Sequence, residues 1–114
     1  MRQFGLSKAC LLRKSRDFDT VYRHGTRLHG TGFSIIFLKN SRESSRIGIS
    51  VSRKIKGAVV RNRIKRIFRE SFRLNRNEYP QGADIVIVVR PEFDLDSPHL
   101  IVRAVRKLMI AESM

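Results

Sequence analysis

Residues 46–73 read RIGISVSRKIKGAVVRNRIKRIFRESFR, and two patterns follow one another within this stretch. In the first, Ile47, Ile49 and Val51 alternate with small residues, which is the period of a β-strand with one buried face. From Ala58 onward the apolar residues recur every three or four positions, which predicts an amphipathic helix. A strand that leads into a helix without a hairpin indicates a crossover unit.

The segments that follow supply the second strand of this unit and a further helix. ADIVIVVR at 83–90 is an almost unbroken apolar run, which predicts a strand covered on both faces. Ser97 and Pro98 then form a typical helix start ahead of a last amphipathic segment.

The preceding segments predict another helix and another strand. Phe18, Val21 and Tyr22 share one helical face and Gly25 ends the pattern, so we predict a short first helix from about Ser15. FSIIFLK is rich in aromatic and β-branched residues and predicts a strand over about 32–39. The intervening HGTRLHGTG has the composition of a turn.

Length and element order together predict one domain over residues 1–114, with a mobile segment of about 12 residues at the N-terminus. The predicted fold class is an α/β two-layer sandwich, with a mixed sheet of about four strands and three helices.

The composition indicates a polyanionic partner. The chain has 24 Lys and Arg against 10 Asp and Glu, a net charge of +14 whose self-repulsion costs stability. No apolar run approaches the roughly 18–20 residues of a membrane span, and charges interrupt the N-terminal apolar residues, unlike a signal peptide. We therefore expect a cytoplasmic protein and no membrane partner.

Metal binding by the chain is not expected. Cys10 is the only cysteine, so neither an internal disulfide nor a multi-thiolate metal site is possible. His24, His29 and His99 are scattered without the spacing of metal ligands. We expect neither a metal site nor a cofactor on the protein itself.

The predicted helix from Ala58 separates charge from apolar surface. A helical wheel places an apolar stripe against the sheet, formed by Val60, Ile64, Ile67, Phe68, Ser71 and Phe72. The opposite face carries Asn62, Lys65, Arg66, Arg69 and Arg73, with Arg61 and Arg63 at the margins. A solvated helix face normally carries both positive and negative side chains, because like charges four residues apart repel. Here Glu70 is the only acidic residue of the helix.

The preceding loop extends this positive segment. Nine cations fall within 53–73, namely Arg53, Lys54, Lys56, Arg61, Arg63, Lys65, Arg66, Arg69 and Arg73. Guanidinium groups bind phosphate oxygens in pairs, and a glycine loop leading into a helix presents backbone N–H groups to anions. The pattern is typical of a phosphate-binding surface, and a purely solvated face is the alternative.

Three segments resemble the protein subunit of bacterial ribonuclease P. KIKGAVVRNRIKRIFRE is similar to that family's signature helix, whose hallmark is the run Arg61, Asn62, Arg63. RDFDTVYRHGTR resembles its first helix and RIGISVSRK its second strand, in the same order and spacing. The resemblance covers about Phe18 to Arg90.

The resemblance implies a small basic cofactor of a catalytic RNA, in a holoenzyme that removes the 5′ leader of precursor tRNA. It also implies a left-handed βαβ crossover, against the usual handedness. The expected partners are ribonuclease P RNA and precursor tRNA, with no obligate protein partner. Magnesium is expected in the holoenzyme, with the metals and the chemistry on the RNA and no catalytic residue on this chain.

The family's functional residues carry over to matching positions here. The resemblance places the RNA-subunit surface at Arg53, Lys54, Arg61, Asn62, Arg63, Lys65, Arg66 and Arg69. It places a leader-binding cleft at Phe18, Tyr22, Ile36, Gly48 and Ser50, where aromatic faces can stack on any base. Ile36 occupies a position at which the family often has an aromatic. From the residues alone, two aromatics at this spacing, such as Phe18 and Tyr22, are more often core residues than ligand platforms, and the resemblance makes the two readings equal.

Other classes of protein share part of this pattern. A ribosomal or chaperone-like RNA-binding domain would have the same charge, and an aromatic cleft is the feature that separates it from a leader-binding protein. A DNA-reading basic helix needs a dimerisation heptad or a second reading helix, and neither is present in the sequence. A membrane-surface helix would need the apolar stripe that the core requires.

Overall fold

The computed structural model describes residues 8–42 and 44–113. Its helices and strands are α1 Ser15–His24, β1 Thr26–His29, β2 Phe33–Lys39, β3 Arg46–Val51, α2 Ala58–Leu74, β4 Ala83–Val89 and α3 Pro98–Ser113. Single 3₁₀ turns occur at Lys8–Cys10 and Arg76–Glu78. No helix within these ranges is long and apolar enough to cross a membrane.

The four strands form one mixed sheet in the order β1-β2-β4-β3. β2 pairs antiparallel with both β1 and β4, whereas β3 and β4 are parallel neighbours. Parallel neighbours need a crossover connection, and α2 supplies it. The predicted fold class, with its mixed sheet of four strands and three helices, is confirmed. The left hand of the crossover stays a prediction.

The main core lies between one face of the sheet and the layer formed by α2 and α3. The sheet contributes a row of buried side chains that includes Ile35, Ile87 and Ile49, which are paired across three strands. α2 packs its buried residues Ile64, Ile67, Phe68, Ser71 and Phe72 against them. The short α1 covers part of the opposite face, where Val21 and Ile36 belong to a second, smaller cluster.

β1 was missed by the sequence analysis, which read its residues as a turn. Thr26–His29 offer no alternation of apolar residues, and only Leu28 is even half-buried. The strand forms because β2 provides a ladder, with Thr26 opposite Phe37 and His29 opposite Ser34. Tertiary pairing therefore overrides weak local preference at this edge of the sheet.

The N-terminal segment also differs from the expectation of a mobile tail of about 12 residues. Cys10 and Leu12 are buried, and the amide of Leu12 donates to the carbonyl of Ile47 at 2.9 Å. Residues 8–12 therefore cover the outer edge of β3, whereas residues 1–7 lie outside the described part of the chain.

The first turn of α2 differs from the helical wheel. Val60 was assigned to the apolar stripe, but its side chain is 48% exposed, and Val59 is 82% exposed. Burial begins at Ile64, so the helix contacts the core only from its second turn onward.

Candidate nucleic-acid interfaces

The outward face of α2 is strongly cationic in the folded chain. Among the residues that the structure describes, no acceptor pairs with the charged ends of Arg63, Lys65, Arg66 or Arg69. We define the α2 basic surface as Arg53, Lys54, Lys56, Asn62, Arg63, Lys65, Arg66 and Arg69. All of these side chains are exposed except that of Lys65, which is half-buried. Uncompensated cations at this density favour binding of a phosphate backbone.

Two arginines of the same segment are engaged within the protein. Arg73 forms a two-bonded ion pair with Glu70, with Nε 2.5 Å from Oε1, and this hydrogen bonding lowers the pKa of Glu70. Arg61 turns toward the body of the protein and donates to backbone carbonyls rather than facing outward. Of the eight residues predicted to contact the RNA subunit, Arg61 is thus the one whose guanidinium is not presented to solvent.

α1 places its aromatic residues directly on the sheet. A methyl group built on Gly48 would lie 2.4 Å from Cζ of Phe18, so the ring rests on the bare backbone of β3. Ile36 is fully buried beneath the same helix. Gly48 and Ile36 were predicted to line the leader cleft, but α1 covers both. In this structure both are buried and support the helix, and their contact with a leader stays a prediction.

Tyr22 and Phe18 are half-buried: each packs against the smaller cluster and leaves part of its surface exposed, and leader binding by them stays a prediction. Phe18 packs on Gly48 and on Leu12. Tyr22 lies toward the β1 edge, where the guanidinium carbon of Arg27 is 5.8 Å from its ring centroid. Arg27 also donates to the carbonyl oxygen of Tyr22 at 3.0 Å, which satisfies one of the last carbonyls of α1.

Next to α1, one cross-strand row of the sheet remains partly open. His29 pairs with Ser34, Ser34 with Val88, and Val88 with Ser50, so these four side chains share one face. We name this row the open strip. It lies beside the row that α1 covers, and Val88 and Ser50 are only half-buried. Ser50, which was predicted to line the leader-binding cleft, is therefore on an accessible face beside Tyr22 and Phe18.

The end of the open strip carries a polar network that the sequence analysis missed. Arg90 donates to Oγ of Ser34 at 2.6 Å and to the carbonyl of Gly30, and it pairs with Glu92. Nδ1 of His29 lies 2.9 Å from the same Oγ. The two-residue alternation of β2 and β4 could have placed Ser34 and Val88 on one face of the sheet. His29 could be placed on that face only if β1 was recognised as a strand.

An ion-pair network fastens the N-terminal half of α1 to the sheet. Arg46 donates two hydrogen bonds to Asp84, at 2.9 and 2.6 Å, and its other terminal nitrogen lies 3.9 Å from Asp17 of α1. Burial opposes ionisation of Asp84, but hydrogen bonds from Arg46 and Asn40 outweigh it, so the pKa of Asp84 lies below its usual value. The network holds Phe18 over β3.

No group of three or more His, Cys, Asp or Glu side chains within residues 8–42 and 44–113 is arranged to hold a metal ion. Asp17 on α1 and Asp84 on β4 both face Arg46.

Comparisons with known proteins found chains of similar sequence and fold. Residues 6–111 match the family model described as Ribonuclease P. The chain is 57% identical over 108 residues to a "Ribonuclease P protein component" of Desulfotalea psychrophila, covering 95% of this chain and 90% of that protein. It is 40% identical to the protein of the same description from Syntrophus aciditrophicus, over 79% of this chain and 76% of that one.

The fold is similar to solved structures as well. The RNase P protein of Staphylococcus aureus superposes with a TM-score of 0.77 at 30% sequence identity, over 92% of this chain and 96% of that chain.

Proposed function

Because the chain belongs to the ribonuclease P protein family, we propose that its α2 basic surface binds ribonuclease P RNA. We also propose that the surface formed by α1 and the open strip, which we name the α1 cleft, binds the leader of precursor tRNA. Family membership makes the chain the protein subunit of ribonuclease P, part of the holoenzyme that matures the 5′ end of tRNA. The assignment of surfaces to the two RNAs goes further and rests on geometry.

The observation that carries the proposal is the distribution of partnered and unpartnered cations on α2. Arg73 is neutralised by Glu70, but Arg63, Arg66 and Arg69 form no ion pair with an acidic side chain in the described part of the chain. A helix in isolation would be stabilised by mixed charges, so this surface costs stability unless a polyanion covers it. Structured RNA is the polyanion that the family supplies.

A second surface favours single-stranded RNA. Phe18 and Tyr22 stand on α1 beside the open strip, in which Val88 and Ser50 are accessible. Aromatic rings next to a strand face with small side chains allow an unpaired base to stack while its backbone approaches the sheet. The 5′ leader is an unpaired segment of the substrate, and binding it would distinguish precursor from mature tRNA.

The chemistry is proposed to take place on the RNA subunit. Phosphodiester hydrolysis by a protein requires a metal cluster or a positioned acid–base pair, and Asp17, Asp84 and Glu92 are each paired with an arginine instead. Magnesium ions would be held by RNA phosphates, with the protein increasing affinity for substrate and for metal by screening phosphate repulsion. Because its substrate would be precursor tRNA, we propose that the chain acts in the cytoplasm.

Reconstitution tests the proposed role. The chain is mixed with ribonuclease P RNA and a precursor tRNA at low magnesium, and release of the 5′ leader is followed on a gel. We expect the wild-type protein to increase leader release relative to RNA alone. Release at the rate of the RNA alone, by a protein whose circular dichroism shows it folded, would contradict the assignment.

The cleft is tested separately with the double variant Phe18→Ala/Tyr22→Ala. Its holoenzyme should lose affinity for precursor tRNA and keep its affinity for mature tRNA, since only the precursor has a leader. Stacking of one base contributes about 1–3 kcal/mol, so a loss of roughly tenfold or more is expected. An equal loss for both tRNAs would mean that the two aromatics serve only the core.

A further inference from the structure

Arg61 begins the Arg-Asn-Arg run, yet its side chain faces the loop between β3 and α2, which we name the 52–57 loop. Its Nη1 donates to the carbonyl of Ser52 at 2.6 Å and to that of Ile55 at 3.2 Å, and its Nη2 donates to the carbonyl of Val51 at 3.1 Å. One planar guanidinium therefore bridges the end of a strand and a turn of the loop.

Few other contacts hold the 52–57 loop in place. The amide of Ser52 continues the sheet ladder by donating to the carbonyl of Val89. Within a tight turn, the amide of Ile55 donates to the carbonyl of Ser52 at 3.0 Å, and the amide of Lys54 donates to Oγ of Ser52 at 3.2 Å. The side chain of Ile55 packs at the margin of the core. Gly57, with φ 93°, ends the loop in a conformation that side chains disfavour. Between these points, Arg53, Lys54 and Lys56 face solvent.

We propose that Arg61 is a positioning residue, which braces the 52–57 loop so that Arg53 and Lys54 are presented to the RNA subunit. This inference rests on the proposed function of the α2 basic surface. It differs from the role implied by the family resemblance, in which Arg61 itself contacts RNA. The 52–57 loop also continues the strand that carries Ser50, so the brace lies between the two proposed RNA sites.

The chemistry of arginine separates the two roles. A phosphate contact needs positive charge, which lysine retains in part, whereas three carbonyls at two ends of a turn need the planar fork of a guanidinium. Loss of the fork leaves the half-buried carbonyls of Val51 and Ile55 without this donor. Arg61→Lys is therefore the informative substitution, because it keeps the charge and removes the brace.

The first experiment measures affinity for ribonuclease P RNA at fixed moderate salt. We expect Arg61→Lys to weaken binding as much as Arg61→Ala does, by roughly tenfold or more. At the exposed Arg63, lysine should recover part of the affinity that alanine loses. Arg61→Lys should also lower the melting temperature of the protein without RNA, and assays are run well below that temperature. Binding of Arg61→Lys at the wild-type level would overturn the proposal.

The second experiment is a double-mutant cycle with Arg53→Ala/Lys54→Ala. If Arg61 acts through Arg53 and Lys54, Arg61→Ala should lower affinity for the RNA by less than about threefold in the background that lacks these two cations. Fully additive losses would show that Arg61 acts on the RNA in another way and would overturn the proposal. If Arg63→Ala and Arg66→Ala also left affinity unchanged, the failure would instead lie with the α2 basic surface as the RNA site.

Discussion

Replacing Gly48 by alanine tests whether α1 is positioned by its contact with the bare strand. The new methyl group would lie 2.4 Å from Cζ of Phe18 and 3.0 Å from Cβ of Leu12, so the ring must move. Overpacking of this kind costs about 1–3 kcal/mol of unfolding free energy. Without the clash, alanine in a strand would stabilise the chain by about 0.5–1 kcal/mol relative to glycine.

A double-mutant cycle isolates this contact. In a Phe18→Ala background the ring is gone and only the 3.0 Å approach to Cβ of Leu12 remains, so Gly48→Ala should be close to neutral. The coupling between the two sites should then exceed about 1 kcal/mol. Ser50→Ala, at the next position on the same face of β3, is the matched control and should change stability by less than about 0.5 kcal/mol.

Urea unfolding followed by circular dichroism gives the four free energies. A second readout is affinity of the holoenzyme for precursor tRNA, which should fall in Gly48→Ala because the displaced ring shifts the α1 face of the cleft. Equal effects of Gly48→Ala with and without the Phe18 ring would refute the packing of α1 described above.

Three further outcomes are expected. Asp84→Asn should lower stability by about 1–3 kcal/mol at neutral pH, because Arg46 loses its main partner. The pKa of Asp84 is lower in the folded than in the unfolded chain, so ionised Asp84 adds to the free energy of unfolding above about pH 4. That stabilisation is lost as pH falls through the lowered pKa, and urea unfolding at pH 7 and pH 3 should show the stabilities of variant and wild type converging in acid. Tyr79→Phe should cost about 1 kcal/mol in the same assay, since it leaves the buried Ser71 hydroxyl without its 2.8 Å partner, and no measurable loss would show that the bond is unimportant. Affinity for the RNA subunit should fall by about 10³–10⁵ between roughly 50 and 200 mM salt if 6–10 phosphates are contacted. Arg66→Ala should reduce the slope of log affinity against log salt concentration by about one, and a salt-independent affinity would contradict phosphate binding.

The elements with strong periodicity could be predicted from the sequence. The alternation of Ile47, Ile49 and Val51 and the buried face of α2 both appear as expected, because each pattern has one face that must be covered. β1 could not be predicted, since its four residues carry no pattern and its pairing depends on β2. The same holds for residues 8–12, which are ordered by contact with the β3 edge.

The candidate site, too, could be predicted only in part from the sequence. The excess of cations on α2 can be read from the sequence, because helical geometry fixes which residues face outward. The sequence could not show that Arg61 turns inward, since its partners are backbone carbonyls of a loop. It also could not show that Gly48 and Ile36 lie beneath α1, because the position of that helix depends on tertiary contacts such as Arg46 with Asp17.

A charge-matched pair of variants tests the α2 basic surface most directly. Arg66→Ala/Arg69→Ala removes two cations from that surface, and Arg103→Ala/Lys107→Ala removes two exposed cations from α3. Dissociation constants for ribonuclease P RNA are measured for both at the same moderate salt. The structure predicts a loss of roughly tenfold or more for the α2 pair and less than about threefold for the α3 pair. Equal losses would mean that net charge alone, and not this surface, holds the RNA.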